Sequence, residues 1–95
     1  MSREQLHHLY QMAHKYDVKA LITASRLEIL RDLQSSELVE TAILSYLCED
    51  DELKNATLTM MGCHVGPLSE LKNWAMLEKY PVLSLEIADR SKPQR

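Results

Sequence analysis

Three histidines near the start of the chain, His7, His8 and His14, are the first side chains whose type suits metal binding. His7 and His14 are seven residues apart, two helical turns, so they share one helix face. No third acidic or thiol ligand stands near them at metal spacing, and they read as solvated or partner-facing histidines. Cys48, Cys63 and His64 make a second loose triple without the paired short spacings of a four-ligand zinc site. Buried, reduced thiols are the simpler reading. The acidic run Glu49-Asp50-Asp51-Glu52 lacks the alternation and the glycine of a twelve-residue calcium loop, and capping of adjacent helices accounts for it. Nucleophilic catalysis wants Ser or Cys beside His with an orienting carboxylate, and no nucleophile elbow is present. The sequence therefore nominates no catalytic residue, no cofactor and no metal, and enzyme activity is not expected. Met12, Met60, Met61 and Met76 read as core filler, and Trp74 as a core or interface anchor.

Composition narrows the scaffold that would carry any binding surface. Ninety-five residues, 45% of them hydrophobic, suffice for one domain, with a core of Leu, Ile, Met and Tyr because Phe is missing. Two Gly and three Pro leave little material for hairpins or phosphate loops, which favours helix throughout. A net charge of −3 argues against nucleic acid, whose phosphates want a basic face. No apolar run has the length of a membrane span and the start lacks a signal-peptide core, so no membrane partner is expected. Two cysteines are too few for a disulfide scaffold, and the expected location is nucleus or cytoplasm.

The helices follow from apolar spacing. Ser2-Arg3-Glu4-Gln5 fits a capping box ahead of Leu6, Leu9, Tyr10 and Ala13, a helix ending near Lys15. Asp17 is placed to cap the next helix, Val18 to Leu33. That stretch carries Val18, Leu21, Ile22, Ile29 and Leu33 on one face and Ala20, Ala24, Leu27 and Leu30 on the other. A helix apolar on two sides is expected to be central, covered by a neighbour on each. Ser36 with Glu37 then caps a helix bearing Leu38, Val39, Ala42, Ile43, Tyr46 and Leu47. Glu49-Asp50-Asp51 closes it and opens another, with Leu53, Ala56, Thr57, Met60 and His64 inward and Gly62 near its end. Gly66-Pro67 is a turn. A short helix over Ser69 to Leu77 follows, with Leu71, Trp74 and Ala75 inward. Pro81 suits a first helical position, with Leu83, Ile87 and Val82 toward the core. The expectation is an all-α, compact bundle of about six short helices in successive antiparallel pairs, one domain over 1–90, with a disordered tail at 91–95.

Read as one string, the middle of the chain resembles a known family. His14-Lys15-Tyr16, Leu21, Ser25, Ile29 and Leu33 are similar to the opening of the three-box and BACK region. That region follows the BTB (POZ) domain in MATH–BTB proteins of the speckle-type POZ class. The match continues through Glu40, Ala42, Ile43, Leu44 and Leu47 to Asp51-Glu52-Leu53-Lys54. His64, Trp74 and Tyr80-Pro81 with Leu83 fall at the family's later positions, and the likeness covers about Leu9 to Arg90. Ser25 stands where the family has cysteine, Ser35 where it has an apolar residue, and Ala88 where some members place a bulky aromatic.

The resemblance implies a BACK-like fold and a non-catalytic adaptor of a cullin-3 RING ubiquitin ligase. Its partners would be the N-terminal domain of a cullin-3-type scaffold, an upstream BTB domain and a second copy of the chain, this sequence being the C-terminal piece. The implied cullin-facing groove is Leu6, Leu9, Tyr10, Tyr16, Val18 and Leu21. The implied self-association surface is Trp74, Leu83, Ile87 and Ala88. The alternative is a stand-alone helical scaffold that binds another protein and has no ubiquitin role.

Overall fold

Ser2 opens the first helix by reciprocal capping: Gln5 N donates to Ser2 Oγ at 3.1 Å, and Ser2 N donates to Gln5 Oε1 at 3.0 Å. Two otherwise unpaired backbone donors at the start of α1, Arg3–Lys15, are satisfied in this way. The computed structural model describes residues 2–64 and 66–90, so the tail expected at 91–95 lies outside the described residues. Among the described residues there are five α-helices, three short 3₁₀ segments and no strand, the all-α architecture of short helices that the composition favours. The chain divides into two compact units, one up to Leu33 and one from Gln34 onward.

In the first unit α1 packs on α2, Lys19–Arg31. Their corner corrects one expectation. Asp17 does not cap α2; it adopts a left-handed conformation, φ +53°. Its N–H donates to His14 O at 3.2 Å while Val18 N donates to Ala13 O at 2.9 Å. This pair of bonds satisfies the last carbonyls of α1, and it needs one left-handed residue. Val18 occupies the position before α2 and makes no side-chain cap. The core of this unit is Leu6, Tyr10 and Ala13 from α1 with Ile22, Ser25 and Ile29 from α2, and Leu33 after it. Buried Ser25 satisfies its hydroxyl by donating to Leu21 O at 2.7 Å.

In the second unit a 3₁₀ turn, Ser35–Glu37, runs into α3, Leu38–Leu47. Ser36 is not the cap here. Gln34 caps the 3₁₀ turn, where Glu37 Oε1 accepts from its N–H at 3.1 Å, and the residue before α3 is Glu37, which makes no side-chain cap to that helix. A second left-handed corner follows at Glu49, φ +56°, with Glu49 N donating to Tyr46 O and Asp50 N to Ser45 O. Asp50 then caps α4, Asp51–Gly62, by accepting from Leu53 N at 3.1 Å, so the acidic run does cap as expected. The region expected as a single helix over Ser69 to Leu77 is two 3₁₀ segments, Leu68–Glu70 and Trp74–Lys79, separated at Asn73, φ +66°. Pro81 starts α5, Pro81–Arg90.

The most enclosed helix is α3, not α2. Leu38, Val39, Thr41, Ala42, Ile43, Leu44 and Ser45 are all buried in one uninterrupted ten-residue helix. It packs against α4, α5 and the Trp74–Lys79 segment. In α2, by contrast, the second apolar face stays open, with Ala20 and Ala24 exposed and Leu27 62% exposed. Small side chains on that face offer little area to bury, so its apolar character is weaker than its residue count suggests. In α4 the inward residues are Leu53, Thr57, Leu58 and Met61, whereas Met60 is exposed and Ala56 half-buried. Leu71 and Leu77 are buried, Trp74 is half-buried and Ala75 is exposed. Leu83 and Ile87 of α5 are core residues, and Val82 faces outward.

Candidate interaction surfaces

The six residues of the presumed groove do not share one environment. Leu6 and Tyr10 are buried, Tyr10 completely at 0%, and both are core side chains of the first unit. Leu9 and Leu21 are half-buried. Tyr16, 63% exposed, and Val18, also exposed, stand at the α1–α2 corner on either side of Asp17. The sequence cannot separate these cases, because all six are apolar or aromatic at helix spacing and only the partner helix decides which are covered. Tyr16 is in reach of a cation, with Lys15 Nζ 5.6 Å from its ring centroid. Tyr10 packs edge-on to His14 at 4.6 Å between ring centroids, which occupies the inward side of that histidine.

The self-association residues also divide. Leu83 and Ile87 fill the interior, Trp74 is half-buried and Ala88 is exposed. The same helix exposes Leu85, at 71%, which the expected surface lacked, and Val82, which was expected toward the core. A signal for them existed in the sequence, since Pro81, Val82, Leu85 and Ala88 recur at i, i+1, i+4 and i+7 opposite Leu83 and Ile87. Outside α5, Leu47 at the end of α3, Met60 and Met76 add exposed apolar surface to the second unit.

The charged groups around these surfaces are partly committed to structure. Lys54 Nζ lies 3.2 Å from Glu86 Oε2 and 3.6 Å from Asp51 Oδ1, which ties α4 to α5. Asn73 Nδ2 donates to Glu40 Oε1 at 3.0 Å, and Arg90 donates to the Asn55 side chain. At the α3–α4 corner Ser45, Tyr46, Leu47, Glu49, Asp51 and Lys54 line an open recess of about 550 Å³. In the first unit Arg3, Leu6, Glu28, Arg31 and Asp32 line another of about 560 Å³, whose mixed charges favour neither sign of ligand. Neither recess brings a nucleophile, base and orienting carboxylate together. Both cysteines are free thiols, Cys63 exposed and Cys48 half-buried. Burial, and secondarily the Asp50 carboxylate, push the Cys48 thiol above its ordinary value. Among the described residues no group of three or more His, Cys, Asp and Glu is placed to hold a metal ion. No helix of the described residues is long and apolar enough to cross a membrane.

Comparison of the chain with protein-family models, with curated proteins and with solved structures finds no match.

Proposed function

We propose that this chain is a non-catalytic protein-interaction module, the three-box and BACK part of a BTB-type substrate adaptor for a cullin-3 RING ubiquitin ligase. The observation that carries the proposal is the corner between α1 and α2. Two antiparallel helices meet there in a tight turn that leaves Tyr16 and Val18, two large apolar side chains on either side of Asp17, exposed. Large apolar groups at a rigid corner are suited to anchoring a partner segment, because they lose little freedom on binding and bury much area. Leu9 and Leu21, half-buried, would form the floor.

The test is a pull-down with a cullin-3-type N-terminal domain, using this chain alone and fused behind a BTB domain. Retention of cullin by the fusion, reduced at least several-fold by Tyr16→Ser with Val18→Ser, is the expected result. Both positions are exposed, so the double variant leaves the core intact. No retention by the fusion above background leaves the stand-alone scaffold, which would use the same corner for a different protein. Self-association at the final helices retains Trp74 and Ala88 as accessible residues, and light scattering across concentration decides it.

A further inference from the structure

We draw no further inference here: the strongest candidate, the exposed apolar face of α5 formed by Val82 and Leu85, carries none because nothing in the structure shows what covers it.

Discussion

Arg3 Nη2 donates to the carbonyl oxygen of Ile29 at 2.7 Å, joining the first turn of α1 to the last turn of α2. Arg3 Nη1 reaches the neighbouring carbonyl of Glu28 at 3.1 Å. The last carbonyls of a helix lack intrahelical donors and carry its partial negative charge, so a guanidinium fork is well matched to them. The helix pair is thus closed at one end by the left-handed corner and at the other by Arg3. Arg3→Ala is expected to destabilise the chain by about 1 kcal/mol, a modest value because one of the two bonds is exposed. Arg3→Lys, which lacks the planar fork, should recover less than half of that in urea denaturation.

The two left-handed corners invite glycine. Asp17 and Glu49 both sit at positive φ, where a Cβ is strained and where helix C-caps usually place Gly. Their side chains are exposed, so little contact is lost on removal. Asp17→Gly and Glu49→Gly are each expected to raise stability by about 0.5–1 kcal/mol, the relief of strain exceeding the added entropy of the unfolded chain. Asp17→Ala, which keeps the Cβ, should give none of this gain. Thermal melts of the three variants decide it.

Thr41 and Thr57 are both fully buried on helices, yet they differ in one respect. Thr57 Oγ1 donates to Leu53 O at 2.8 Å, whereas Thr41 Oγ1 is buried with no hydrogen-bond partner among the described residues. A buried hydroxyl without a partner keeps its desolvation cost uncompensated. Thr41→Val should therefore raise stability by about 1 kcal/mol. Thr57→Val, which removes a made bond, should be neutral or destabilising. Equal effects of the two substitutions in denaturant titrations would show that the Thr41 hydroxyl is not the liability.

Cys48 and Cys63 should separate kinetically. Cys63 is exposed, while the thiol of Cys48 is held protonated by burial and by the neighbouring Asp50 carboxylate. Since the thiolate is the nucleophile, a disulfide reagent near pH 8 is expected to show one fast and one slow phase, differing by about tenfold or more. Cys63→Ser removes the fast phase. A thiol whose folded pKa is raised contributes stability that is fully present below the unfolded value. That contribution is lost as pH rises through the raised folded value. The chain should accordingly lose stability from about pH 9 upward, and Cys48→Ala should reduce that loss.

The helical class was legible from the sequence because few glycines and prolines, together with apolar residues at 3.6-residue spacing, leave no economical alternative to helix. The caps at Ser2 and Asp50 were legible for a similar reason, since each is a local exchange of bonds within four residues. Asp17 shows the limit of local reasoning. The same side chain suits an N-cap and a left-handed corner, and only the tight turn between α1 and α2 assigns it to the second. The candidate surfaces were less legible still. Tyr10 and Tyr16 are both aromatic residues of the first helix and its cap, yet one is fully buried and the other largely exposed.

What the sequence alone determined is the all-helical class and the five α-helices with their approximate ends, because these depend on spacing and backbone bonding within a few residues; the sixth helix expected over Ser69 to Leu77 is two 3₁₀ segments broken at Asn73. What the tertiary structure decided is which apolar face each helix spends on its neighbours. It made α3 the enclosed helix, left Leu27 of α2 and Leu85 of α5 outside, and put Leu83 and Ile87 inside. Burial is a property of pairs of surfaces. A sequence states only one surface of each pair, and the partner is supplied by the folded chain.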